Sequence, residues 1–180
     1  MFTAQRLREK NIAEYLLYMW QTEDVIRTYG CDEERIFREY IPRFGVQGDD
    51  AEKMKVWYAG LCDMMRREGV MENGHLQVNK NVVENLDELS RRLLDSGKFP
   101  RYNAAFYRVM PHIAAVRNRG EKKELSYIET CFDILYGVVL LRMQKKELSA
   151  ETDGAARDIS AAIGLLAAYY KKDREEPMDI

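Results

Sequence analysis

Twenty-two residues, SYIETCFDILYGVVLLRMQKKE from Ser126 to Glu147, constrain this chain more than any other stretch. Between Cys131 and Met143 only Asp133, Gly137 and Arg142 interrupt an apolar run. At helical spacing Leu125, Ile128, Phe132, Leu135, Val139 and Met143 form one stripe, while Ile134, Val138 and Leu141 cover a second face. A helix apolar over most of its circumference needs other helices packed around it. The run is shorter than the ~18–20 residues that span a bilayer, and it contains Asp133, so no membrane crossing is expected.

The remaining chain supplies the surrounding helices. Four prolines and eleven glycines in 180 residues leave room for few turns. A first helix is expected over residues 3–29, with Ile12, Leu16, Met19 and Ile26 inward and Glu23 on the same stripe. A short helix runs from Asp32 to Ile41, where Pro42 stops it. A third is marked by Met54, Trp57, Leu61, Met64 and Met65. Asn73-Gly74, between Val70-Met71 and Leu76-Gln77-Val78, is a hairpin signal, and a small β-hairpin over residues 70–78 or an ordered loop both fit. A fourth helix is expected from Asn79 or Asn81 to about Ser96, and a fifth from Asn103 to Arg119, kinked at Pro111. The last, residues 150–172, carries Ser160, Gly164 and Ala168 as a strip open to close helix approach. The expectation is an all-α fold: a single bundle of about seven helices over residues 1–172 around the central apolar helix, with a frayed, charged tail at 173–180.

Three segments, Asn11 to Gln21 (NIAEYLLYMWQ), Gly74 to Asn81 (GHLQVNKN) and Leu166 to Asp173 (LAAYYKKD), resemble a family of small helical bacterial proteins. That family is found mainly in Bacteroidetes and classed as a domain of unknown function. The resemblance spans nearly the whole chain. It implies an intracellular helical protein and brings no catalytic residue with it.

The formal charge of −2 conceals a segregation. Residues 1–90 sum to −5, residues 91–123 to +7 and residues 124–180 to −4. On the fifth helix Arg101, Arg108, His112 and Arg119 fall along one side. Lys98, Arg117, Lys122 and Lys123 enlarge the patch, with Phe99, Tyr102 and Tyr107 among them. Cations beside aromatic rings suit an anion or a nucleic-acid backbone and its bases. The overall pI of about 5.8 and the acidic flanks favour instead a solvated face or one answered by protein carboxylates. A winged-helix reading, with the Asn-Gly segment as wing, is opposed by the acidic excess of residues 31–81.

Glu23, Glu129 and Arg142 form a second candidate set, a buried polar cluster between the first and central helices able to hold a carboxylate or phosphate. Its plain alternative is an ion pair, or a snorkelling Arg142, with Glu129 closing a capping box on Ser126. Nothing points to a metal or cofactor. His112 has Val109 three residues before it; His75 has Glu72, but in a turn rather than on a helix, and no second such motif exists. Cys31, Cys62 and Cys131 have neither zinc spacing nor a nearby base, and an odd set of cysteines suits a reducing cytoplasm. No phosphate-binding glycine loop, GxSxG or dinucleotide fingerprint occurs. With no catalytic residue to name, the favoured reading is a non-enzymatic helical interaction module that self-associates or binds another protein. An anion- or nucleic-acid-binding protein is the alternative, and a ligand binder or enzyme using the polar cluster is the third.

Overall fold

A computed structural model describes residues 1–119 and 125–180, with Arg119 described by its backbone alone. Gly120, Lys122 and Lys123 of the expected helix end and basic patch lie outside the described residues. Eight α-helices and no strand are present among the described residues. They are α1 Phe2–Lys10, α2 Ile12–Thr28, α3 Glu33–Arg35, α4 Gly48–Arg67, α5 Gln77–Ser96, α6 Pro100–Arg119, α7 Tyr127–Met143 and α8 Ala150–Glu175. The fold is all-α, and no helix among the described residues is long and apolar enough to cross a membrane. The chain groups into two compact units, Met1–Glu9 with Glu14–Asn81, and Lys10–Ala13 with Val82–Ile180.

In the first unit α4 buries Met54, Tyr58, Leu61, Cys62 and Met65, with α3 and the turns after it against this helix. The segment expected as one helix to Ile41 changes winding instead. A π-helical turn covers Ile36–Tyr40 and a 3₁₀ turn covers Ile41–Phe44. Pro42 has no N–H for an i→i−4 bond, and Gly45 in the left-handed region (φ 65°) closes the turn. The expected first helix is likewise interrupted at Asn11, whose Oδ1 accepts from the Ala13 amide at 3.1 Å. An Asn side chain that bonds nearby backbone competes with the helical ladder there.

The 70–78 segment is an ordered turn, not a hairpin. The amide of Val70 donates to Met65 O, ending α4, and bends follow to Gly74. Val70 and Leu76 are buried one by one. Helix α5 then begins at Gln77, two residues earlier than Asn79, because side chains from elsewhere in the unit cap it. Glu68 Oε2 accepts from the Gln77 amide at 2.6 Å and Glu23 Oε1 from the Leu76 amide at 3.0 Å. Carboxylates at a helix N-terminus satisfy orphan amides and oppose the macrodipole's positive end.

In the second unit α8 packs against α6 and α7. Helix α7 buries Ile128, Thr130, Cys131, Phe132, Leu135, Tyr136 and Val138, the most enclosed run of the unit. Ser126 caps it by accepting from the Glu129 amide at 3.1 Å. It ends at Met143, with Lys145 left-handed (φ 56°) and the Lys146 amide on Leu141 O at 3.0 Å. That is a Schellman-type stop built on Lys rather than Gly. Pro111 sits inside α6, so Tyr107's carbonyl lacks an amide partner from it. The strip of Ser160, Gly164 and Ala168 is exposed, and a Cβ at Gly164 would meet nothing within 4 Å. Among the described residues no helix comes close to this strip at Gly164. The expected frayed tail is held in part. Helix α8 runs to Glu175, and Asp173 accepts from the Met178 amide at 2.8 Å and from Arg92 at 3.2 Å.

Candidate functional site

A buried carboxylate with three polar partners lies in the first unit. Glu23, fully buried on α2, receives three donors. Its Oε1 accepts from the Leu76 amide at 3.0 Å and from Asn79 Nδ2 at 2.7 Å, and its Oε2 lies 2.6 Å from His75 Nδ1. The His75 ring stacks on Trp20 with centroids 4.0 Å apart and planes 10° from parallel. One turn along α2, Arg27 pairs with Asp24 and donates to Val70 O and Gly74 O. Glu23 and Arg27 thus grip both ends of the 70–76 turn.

Local sequence explains the placement. Trp20, Glu23 and Arg27 follow at three- and four-residue spacing, so one face of α2 offers a ring, a carboxylate and a guanidinium in succession. Asn73-Gly74, with Gly74 at φ 84°, reverses the chain so that His75 and Leu76 return toward that face. A histidine whose Nδ1 donates to a carboxylate has its tautomer and ring orientation fixed, which is also how enzymes prepare a base. Here the carboxylate also carries two further donors that begin a helix. The arrangement does the work of a latch.

The sequence-derived cluster is accordingly redistributed. Glu23 is buried, with partners at 75–79. Arg142 stands exposed, its side chain 61% accessible, and reaches Asp153 Oδ1 at 3.4 Å. Helix α7 emerges from its packing before this turn, as Met143, 58% exposed, also shows. Glu129 is half-buried in the first turn of α7, where its amide serves the Ser126 cap. Arg142 therefore does not belong to a buried polar cluster. His75 and Asn79, absent from the expected set, supply it. The signal for them was indirect: a glutamate on an apolar stripe demands donors, but their separation of more than fifty residues is invisible to spacing.

The basic side of α6 is likewise divided. Arg101 and Arg108 are exposed, and Arg108 Nε donates to Ala104 O at 3.4 Å. His112 is half-buried with Nε2 3.1 Å from Asp158 Oδ2 on α8. The Arg119 side chain lies outside the described residues. Arg117 turns inward, its guanidinium 4.4 Å from the Tyr127 ring centroid and donating to Leu125 O. Of the interleaved aromatics, Tyr102 is buried and donates to Ser90 Oγ at 2.7 Å, Phe99 meets Tyr169 edge-on, and Tyr107 is open.

The cysteines offer no ready nucleophile. All three are buried. Burial pushes the Cys62 thiol up to about 11 and Cys131 to about 12, the latter against the lowering pull of Arg117. Cys31 is raised too, again by burial first. No group of three or more His, Cys, Asp or Glu is placed to hold a metal ion among the described residues.

These features define a small all-α protein whose conspicuous buried acid serves a turn-and-helix junction. The chain belongs to the family described as Domain of unknown function (DUF4924), whose model matches residues 1–177. No curated protein matches it, and no solved structure does. The family brings no activity with it, so the functional reading rests on this chain's own residues.

Proposed function

We propose that this chain is a non-enzymatic helical interaction module that self-associates through the open side of α4, in a reducing cytoplasm where its three buried thiols stay reduced. The carrying observation is Val56, 73% exposed, beside Trp57 and Met1 in a shallow apolar hollow of about 390 Å³. The half-buried Trp57 supplies the kind of aromatic anchor enriched at interface centres, and Val56 adds apolar surface beside it. Glu52 and Lys53 border it and are paired within α4, with Lys55 at 2.8 Å and Asp50 at 3.7 Å, as the polar rim around an apolar centre. The alternative uses of the chain's chemical groups are weakened by their other duties, Glu23 and His75 at the α5 start and Arg142 on Asp153.

Light scattering across a concentration series tests this reading. Wild type is expected as a dimer or larger species, and Val56→Glu as a monomer with an unchanged far-ultraviolet spectrum. A wild-type chain monomeric at high micromolar concentration, with no co-purifying protein, overturns it.

A further inference from the structure

The second unit contains a cleft that neither the family nor the association reading uses. It lies among α5, α6 and the start of α7, with a volume of about 490 Å³, within the range of small-molecule sites. We propose that this cleft binds a small planar organic anion, an aromatic carboxylate, with Arg117 as the anion's partner.

The walls specify a flat apolar body. Leu94 on α5, Phe106 on α6 and Tyr127 at the start of α7 line the space, and Phe106 and Tyr127 meet edge-on with centroids 6.1 Å apart. Ring pairs in that geometry leave aromatic faces and edges for a third ring.

Arg117 specifies the charge. Its guanidinium is held against the Tyr127 ring, and Nη2 donates to Leu125 O. Its Nε is buried and has no acceptor among the described residues. No carboxylate among the described residues pairs with it. A guanidinium carries five N–H donors in a plane, and the Leu125 carbonyl takes one of them. A carboxylate matches that plane with two parallel bonds.

The other charges do not cancel it. Asp87 also lines the cleft, but Arg91 Nε lies 3.4 Å from its Oδ2, so this pair is locally neutral. Ser90 lends a hydroxyl already held by Tyr102. Among the described lining residues the net charge is therefore positive, next to the apolar walls of Leu94, Phe106 and Tyr127. An inorganic anion would engage Arg117 but leave those walls bare, which makes the aromatic acid the better fit.

Titration of the full chain with benzoate, followed by amide chemical shifts, tests the proposal. Shifts that saturate and centre on Ser90, Leu94, Leu125 and Ser126 are expected. Benzamide, the neutral isostere, and inorganic phosphate are each expected to bind about tenfold more weakly or worse, since one lacks the charge and the other the ring. Arg117→Gln is expected to weaken benzoate about tenfold or more, with Arg108→Gln on the open side of α6 unchanged. Leu94→Trp fills the cleft without touching Arg117 and should abolish the shifts. That variant keeps the test decisive if Arg117→Gln does not fold. Absent or non-saturating shifts overturn the proposal, as does equal affinity for benzamide, equal affinity for phosphate, or unchanged benzoate binding in both variants. The outcome is separate from that of the α4 association test, which concerns the other unit.

Discussion

Replacing Glu23 with alanine removes the shared acceptor of three donors: the Leu76 amide, Asn79 Nδ2 and His75 Nδ1. Each is left in or near a space that water reaches poorly, because Glu23, Leu76 and Asn79 are all fully buried. Leaving a buried donor without its acceptor costs about 1–3 kcal/mol, so stranding the two fully buried donors together costs about 3–5 kcal/mol. For a chain of this length that is a fall in melting temperature of about 6–20 °C. His75→Ala should cost less, about 1–2 kcal/mol, because two of the three donors remain and the imidazole is 24% exposed. The double variant should show coupling of about 1–3 kcal/mol, as expected for groups sharing one bond. Glu23→Gln keeps the shape and one acceptor oxygen, but its amide can only donate toward His75. The imidazole must then carry its proton on Nε2, which nitrogen chemical shifts read directly. Urea unfolding with tryptophan fluorescence is the natural assay, since Trp20 stacks on His75. The local readout is hydrogen exchange at the Leu76 amide, which should lose protection in Glu23→Ala. A Glu23→Ala protein within about 1 kcal/mol of wild type, with Leu76 still protected, would refute the latch.

The thiols and the C-terminal segment give two more tests. At neutral pH a disulfide reagent should label none of Cys31, Cys62 and Cys131 in the native chain and all three after unfolding, because burial holds each thiol up, Cys62 to about 11 and Cys131 to about 12. Rapid native labelling of any one contradicts this. Asp173 is held below the usual carboxylate range, chiefly by the Met178 amide and then by Arg92. A carboxyl depressed in the fold adds stability above its unfolded value, about pH 4, and loses it as pH falls through the lower folded value. The protection factor of the Met178 amide should therefore be highest at neutral pH and fall in acid. Asp173→Asn should show no such fall. Equal wild-type protection in acid and at neutral pH would contradict the assignment.

What was legible in the sequence was periodic. The apolar runs of α4 to α8 repeat at helical spacing, and the helices form where the stripes lie; on α4 Met54, Leu61 and Met65 are buried as expected, with Tyr58 and Cys62 in place of the half-buried Trp57 and Met64. The all-α class and membership of a domain-of-unknown-function family were both readable from the residues. What spacing could not convey was partnership at long range. Asn73-Gly74 has the local chemistry of a hairpin turn, but the Leu76 amide that a partner strand would have used goes to Glu23, 53 residues away. Asn79, a good local cap, becomes a buried donor because Glu23 and Glu68 cap α5 from a distance. Arg142 continued the α7 stripe in register, yet the helix leaves its packing one turn earlier. Helix period tells which side a residue takes, and not how far along the helix the neighbours extend. His112 and Arg117 show the same limit on α6, since their basic character does not reveal that Asp158 meets one and Tyr127 the other.

The central claim is a division of labour: the Glu23–His75 group serves the fold, and the exposed α4 face serves association. Sedimentation velocity of wild type, His75→Ala and Val56→Glu at one matched concentration tests it most directly. The account predicts that wild type and His75→Ala sediment as the same associated species and that Val56→Glu sediments as a folded monomer. An associated Val56→Glu protein, or a His75→Ala protein that stays folded but no longer associates, would contradict it.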